Sequence, residues 1–251
     1  MINFITMLLL YRKEIEWFPF IAFTIAQATI FQFWTPDSLR GYGVGTPNGA
    51  LWTICPMVQC YIVLWILNKF LHKKSFARWL YVLGIGIVLN ITMPLLEPFY
   101  PNEIIFKLSM QTFLPYMWLF VLGAIIYEYF EKLIVVLMKF CFLFFLISSF
   151  FAITKFDAGE YGTLKCIFLA FAVIGFAYRC NNIKIRHDIS YEFYLYHMIV
   201  INVMVQLGIM HNVVFFFVAA ILTLLLSYLS YWTIGLIARK KKEAMVKAAG
   251  I

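Results

Sequence analysis

Apolar residues fall into long runs along this chain, separated by short polar or charged segments. Each run has about the length of a membrane-spanning helix, which needs about 20 mostly apolar residues. The pattern predicts an all-α polytopic membrane bundle of about eight transmembrane helices, in a single domain over residues 1–251. The eight runs are Trp17–Trp34, Ala50–Leu67, Trp79–Leu96, Met110–Ile126, Leu133–Ile153, Thr163–Tyr178, Ile189–Ile209 and Val213–Ala238.

The composition excludes a water-soluble enzyme. Of the 251 residues, 64% are hydrophobic and only 13% are charged, whereas a soluble domain has about 45–50% apolar and about 25% charged residues. So many apolar side chains would leave large exposed patches on a soluble surface. A disordered chain is also excluded, because disorder requires low hydrophobicity.

The positive charge predicts how the chain is oriented in the membrane. With eight spans, 15 of the 20 Lys and Arg residues fall in loops on one side and four on the other. Lys and Arg are enriched in cytoplasmic loops, so both termini are expected to be cytoplasmic. The net charge of +8 therefore needs no nucleic-acid partner. The cytoplasmic set includes Lys69, Lys73, Lys74, Arg179, Lys184, Arg186 and the tail Arg239–Lys242.

A polar stripe marks the second run. Asn48, Trp52, Cys55 and Gln59 recur at a spacing that places them on one face of an α-helix. Pro56 in the same helix is expected to free the carbonyl of Trp52 and kink the helix. Such a stripe either lines a cavity or mediates helix packing through hydrogen bonds.

The seventh run begins with a second polar segment, Asp188–His197. Asp188 or Ser190 can cap the helix, and Ser190, Tyr194 and His197 fall on one helix face. A histidine about two turns into a span acts as a general base or acid, or hydrogen-bonds to a neighbour for packing. The other histidines, His72, His187 and His211, are expected to be solvated. No spacing of His, Cys, Asp or Glu predicts a metal site.

Both polar segments resemble motifs of the acyltransferase 3 family. Asn48-Gly-Ala-Leu-Trp-Thr-Ile54 is similar to the family segment N-G-x-L-W-S/T-L, and Asp188-Ile-Ser-Tyr-Glu-Phe-Tyr-Leu-Tyr-His197 to the late signature S-Y-x-x-Y-L-x-H. Between them, Phe120-Val-Leu-Gly-Ala-Ile125 is similar to the family's F-x-x-G span. The order and spacing of the motifs agree with this resemblance over most of the chain.

The resemblance implies a membrane-bound O-acyltransferase of the bacterial inner (plasma) membrane. It would move an acyl group, expected to be acetyl, from acetyl-CoA to a hydroxyl of an envelope glycan or glycolipid. His197 is then the catalytic candidate, and no bound cofactor is expected. The basic cytoplasmic residues would either face the CoA phosphates or only set the orientation of the chain in the membrane. The substrate-binding candidates are Asn48, Trp52, Ser190, Tyr191 and Tyr194.

The chain also departs from the family pattern. The family begins with two further helices, the first bearing an Arg and a His, and we find no counterpart to them. Met57 stands where a Glu often follows the L-W-S/T-L segment, and a thioether can neither accept a proton nor pair with a cation. The alternative function is therefore a non-catalytic remnant or a partner subunit, with a separate chain supplying the missing helices. A transporter is a third possibility, although no internal repeat supports it.

Overall fold

The computed structural model describes residues 2–29, 34–71, 75–159, 162–180, 187–209 and 212–237. These residues form ten α-helices and no strands, which confirms the predicted all-α class. The last helix continues into a π-helical turn, Tyr231–Gly235. The helices are α1 (Ile2–Leu10), α2 (Trp17–Gln27), α3 (Ile54–Leu71), α4 (Phe76–Leu95), α5 (Glu103–Ser109), α6 (Met117–Glu128), α7 (Phe130–Thr154), α8 (Thr163–Arg179), α9 (Ser190–Gln206) and α10 (Val213–Ser230).

Four helical segments are long and apolar enough to cross a bilayer, so the chain is a multi-pass membrane protein. They are Gly49–Leu71, Phe76–Leu95, Phe130–Thr154 and Val213–Gly235. Helices α8 and α9 have 17 residues each, and α2 and α6 are shorter. Every predicted run corresponds to one helix, whereas eight crossings and cytoplasmic termini remain predictions.

Two prolines lie at helix starts rather than inside helices. Helix α6 begins at Met117 instead of Met110, because Pro115 lacks an N–H group and disfavours helical backbone at the residue before it. Pro56 lies in the first turn of α3, which begins at Ile54. The first N–H groups of a helix have no intrahelical partner, so Pro56 removes no α-helical hydrogen bond from α3, and the predicted kink stays a prediction.

The chain divides into two compact units. The central unit is Ile54–Lys184 and contains α3 to α8, and the terminal unit combines Met1–Thr53 with Ile185–Ile251. In the central unit, the Asn90 amide on α4 donates to Thr163 Oγ1 over 2.9 Å. Asn90 is 2% exposed, and this bond satisfies a polar group that would otherwise be costly to bury.

Helices α7 and α8 pack closest at Gly175. A Cβ atom there would lie 2.2 Å from the Leu137 carbonyl oxygen and 2.8 Å from Cys141 Cβ. Both separations are shorter than van der Waals contact, so only glycine permits this approach of the two backbones.

We therefore expect Gly175→Ala to destabilise the protein by about 1–3 kcal/mol, the usual cost of overpacking. The measurement is detergent or thermal unfolding of the purified protein. Gly84→Ala is the matched control, because a Cβ there meets nothing within 4 Å and alanine favours a helix over glycine. Equal stability of the two variants would contradict the close packing.

The terminal unit has one apolar cluster around α1 and α2 and a smaller one between α9 and α10. Met7, Phe23 and Tyr42 are at most 1% exposed in the first cluster. Val200 and Met204 of α9 pack with Ala219 of α10 in the second. Together the clusters bury part of the loop before α3 and one face of α9.

Candidate functional site

The candidate site lies within the terminal unit, where α9 packs along the irregular loop over residues 34–53. This loop contains only short 3₁₀ segments, as its glycine and proline content predicts. Tyr42 anchors its middle, with its hydroxyl donating to Thr6 Oγ1 over 3.1 Å. Burial raises the pKa of the Tyr42 phenol, and the hydrogen bond with Thr6 offsets part of that increase.

Asp188 caps the start of α9. Its Oδ1 accepts from the Ser190 backbone N–H over 3.0 Å and from the Ser190 hydroxyl over 2.6 Å. Asp188 and Ser190 were both predicted as possible caps, and it is the Asp188 side chain that accepts a hydrogen bond from a backbone N–H group. Ser190 and Tyr191 are both exposed, so the first turn of α9 presents two hydroxyl groups at the surface of the terminal unit.

His197 forms a hydrogen bond that determines its tautomer. Its Nδ1 lies 2.7 Å from the Tyr194 carbonyl oxygen. Because a carbonyl oxygen only accepts, Nδ1 must carry the proton. In the neutral ring the lone pair is then on Nε2, and no described residue hydrogen-bonds to that nitrogen. The half-buried ring is thus arranged to accept a proton at Nε2.

Tyr194 connects α9 to the segment just before α3. Its hydroxyl donates to the Ala50 carbonyl over 2.5 Å and lies 2.6 Å from Thr53 Oγ1. The carbonyl of the same residue accepts from His197. Tyr194 therefore orients the histidine through its backbone and positions the loop through its side chain.

Asn202 clamps the loop two turns further along α9. It is fully buried, and its Oδ1 accepts from the Val44 N–H over 2.9 Å. Its Nδ2 donates to the carbonyls of Thr46 and Pro47 over 2.9 and 2.8 Å. One side chain thus pairs three backbone groups of a loop that lacks regular structure of its own.

Gln206 and Gly43 complete this clamp. Gln206 Oε1 accepts from the Gly43 N–H over 3.0 Å. Gly43 has a φ of +61°, and a Cβ there would lie 2.2 Å from Asn202 Oδ1. Glycine is therefore required at this position by both its backbone conformation and the proximity of the clamp.

The predicted face linking Asn48 to Gln59 holds only within α3, where Gln59 Nε2 donates to Cys55 Sγ over 3.3 Å. Asn48 lies before the helix, and Gly49–Thr53 is a 3₁₀ segment with about three residues per turn, so α-helical spacing does not extend the face to Asn48 and Trp52. Asn48 is buried, and its Oδ1 has no hydrogen-bond partner. Trp52 is half-buried in the 3₁₀ segment. Gln59 bonds within the central unit, to the backbone of Gln111 and Phe113.

His187 differs from its prediction as a solvated residue. It is half-buried, its Nδ1 lies 3.1 Å from the Tyr231 hydroxyl, and its ring packs against Tyr228 and Trp232. The aromatic residues at the end of α10 and in the following π-helical turn thus hold the segment that leads into α9.

Several residues singled out in the sequence lie outside the described residues. Among the basic residues predicted to be cytoplasmic, Lys69 and Arg179 are described and both are exposed. The basic residues that lie outside the described ranges are Lys73, Lys74, Lys184, Arg186 and the tail Arg239–Lys242. The histidines His72 and His211 also lie outside them.

The sequence analysis missed Asn202 and Gln206. Both follow Tyr194 at intervals of four residues, and Met198, between Tyr194 and Asn202, contacts the loop at Gly49. Polar residues at such a spacing within an apolar run are a detectable signal, because they mark one helix face. Their partners are backbone groups, which no side-chain motif specifies.

Comparison with known protein families agrees with these motifs. A family model described as an acyltransferase domain, of the acyltransferase 3 type, matches residues 7–232. Comparisons with curated proteins and with solved structures give no match. The family match includes the loop, α9 and His197, and it covers most of the chain. The chain therefore belongs to the acyltransferase 3 family, which is a family of membrane acyltransferases.

Proposed function

We propose that this protein transfers an acyl group, acetyl in the first instance, from acyl-CoA to a hydroxyl of a cell-envelope carbohydrate. The observation that carries the proposal is the His197 Nδ1 hydrogen bond to the Tyr194 carbonyl, which leaves Nε2 as a proton acceptor. Acyl transfer to an alcohol needs such a base, because the neutral hydroxyl is a weak nucleophile.

The proposed reaction follows from this tautomer. His197 Nε2 takes the proton of the acceptor hydroxyl as that oxygen bonds to the thioester carbonyl carbon. The carbon–sulfur bond then breaks, and the CoA thiolate leaves with the proton returned by the imidazolium. The Tyr194 carbonyl stabilises the imidazolium through the Nδ1–H bond, so one contact orients the base and supports its charged form.

Substrate contacts are assigned to the polar residues near this histidine in the sequence and along the loop. Asn48 has a buried, unpartnered amide oxygen, and it would accept from a sugar hydroxyl or an amide N–H of the donor once the loop over residues 34–53 moves to expose it. Ser190 and Tyr191 are exposed at the start of α9 and offer hydroxyl groups, and Trp52 offers an aromatic face for a sugar. The proposed location of the reaction is a bacterial inner membrane.

The test is acyl transfer by the purified full chain in lipid nanodiscs. Acetyl-CoA labelled in its acetyl group is incubated with an envelope glycan fraction, and label in the glycan is compared with free CoA released. We expect both to rise together, and CoA release to fall when the glycan is omitted. Incorporation only after a second polypeptide is added would favour the partner-subunit alternative. No transfer from acetyl-, propionyl- or longer acyl-CoA would overturn the proposal.

A further inference from the structure

The central unit carries an open groove on the surface formed by α3, α4 and α6, with a volume of about 670 Å³. Its walls are apolar along most of their length, where Leu64 of α3 is opposite Leu119 and Ala124 of α6. The α3 residues belong to the candidate span Gly49–Leu71. A groove at this depth opens to hydrocarbon rather than to water.

The groove has a distinct polar end. Tyr61 packs against Phe120 with ring centroids 5.2 Å apart, and further along the same two helices Asn68 and Tyr127 line the groove. Helices α3 and α6 therefore run in the same direction and end together. The Asn68 amide and the Tyr127 hydroxyl lie at this end, and the Tyr61 hydroxyl lies towards the opposite end.

A lysine lies beside the polar end. Lys69 Nζ lies 3.5 Å from the ring centroid of Trp65, a groove residue, which fixes the ammonium group by a cation–π interaction. Arg78, in the first turn of α4, is also exposed, while Glu128 and Glu131 follow Tyr127 at the end of α6 and the start of α7. An apolar channel that ends beside the held ammonium group of Lys69 and the amide of Asn68 complements a molecule with an alkyl chain and an anionic head group.

We propose that this groove is a binding site for one anionic phospholipid. One acyl chain lies along Leu64, Leu119 and Ala124, and the phosphate faces Lys69 and the amide of Asn68. The site is independent of the proposed acyl transfer, since the candidate site lies wholly in the terminal unit.

Gly123 allows a sharp test, because it lines the groove and a Cβ there meets nothing within 4 Å. Gly123→Leu places a branched side chain in the channel. Gly84→Leu is the matched control, since a Cβ at Gly84 on α4 also meets nothing within 4 Å and Gly84 does not line the groove. Lys69→Gln removes the cation and leaves the channel open.

The experiment is native mass spectrometry of the purified full chain with equal amounts of palmitoyl-oleoyl phosphatidylglycerol and phosphatidylcholine. We expect the wild-type protein and Gly84→Leu to retain one phosphatidylglycerol preferentially. Gly123→Leu should retain about tenfold less, because burial of chain methylenes is lost. Lys69→Gln should still bind lipid, with its preference for the anionic head group reduced about fivefold.

A second readout keeps the test independent of lipid loss in the spectrometer. Added phosphatidylglycerol should raise the melting temperature of the wild-type protein and of Gly84→Leu, and not that of Gly123→Leu. Equal retention by the two leucine variants would overturn the proposal. So would a wild-type protein that takes both lipids equally, because that is the behaviour of ordinary boundary lipid.

Discussion

Purified protein carrying His197→Asn is expected to lose acyl transfer by a factor of about 10²–10⁴, the usual contribution of a general base. Asparagine places an amide N–H near the position of Nδ1, so it can still donate to the Tyr194 carbonyl that now lies 2.7 Å from the ring. It has no basic nitrogen to take a proton. The substitution thus removes the proposed base while retaining the local hydrogen bond.

The measurement is the rate of glycan acylation at saturating acetyl-CoA, with membrane insertion and melting temperature as checks on folding. His187→Asn is the matched control, because it changes a histidine bonded to Tyr231 and not the proposed base. We expect this control to stay within about fivefold of the wild-type rate, since one neutral hydrogen bond contributes about 1 kcal/mol. A wild-type rate in His197→Asn would exclude His197 as the base.

Asn202→Leu is expected to destabilise the terminal unit by about 2–4 kcal/mol, because three backbone groups lose their partner and a buried unpaired group costs about 1–3 kcal/mol. Leucine keeps the branching of asparagine at Cγ and replaces its hydrogen-bonding atoms with methyl groups. The loop over residues 43–48 should then open, and hydrogen exchange at the Val44 amide should increase.

Gln206→Leu provides the comparison on the same helix face. It removes a single bond, to the Gly43 N–H, and should cost about 1 kcal/mol. Unfolding in detergent, followed by circular dichroism, gives both values. If Asn202→Leu proves no less stable than Gln206→Leu, the Asn202 clamp does not hold the loop.

Helix positions were largely predictable from the sequence, while helix starts were less so. The runs at Leu133–Ile153 and Thr163–Tyr178 closely match α7 and α8, because long apolar periodicity is the strongest secondary-structure signal in a chain. The predicted start at Met110 was seven residues too early, because apolar residues before Pro115 continue the hydropathy pattern without continuing the helix.

The candidate site was predictable in part. The grouping of Tyr194 and His197 on one face of α9 follows from their spacing, and the continuous helix Ser190–Gln206 agrees with it. Of the stripe from Asn48 to Gln59, only Cys55 and Gln59 share an α-helical face, because α-helical spacing is informative only where the chain is α-helical. The environment of His187 was missed because its aromatic neighbours lie more than 40 residues away on another element.

The sequence by itself determined that this protein is a helical membrane protein and that two polar segments match an acyltransferase family. Composition and hydropathy suffice for the membrane class, because they report what a segment can bury in lipid, whereas the family resemblance depends on the residues of the two motifs. Only the tertiary structure decided which polar groups act together. Asn202 bonds to Val44 across 158 residues of sequence, and the Tyr194 carbonyl fixes the tautomer of His197. Hydrogen bonds depend on distance and direction in space, which the order of residues does not specify.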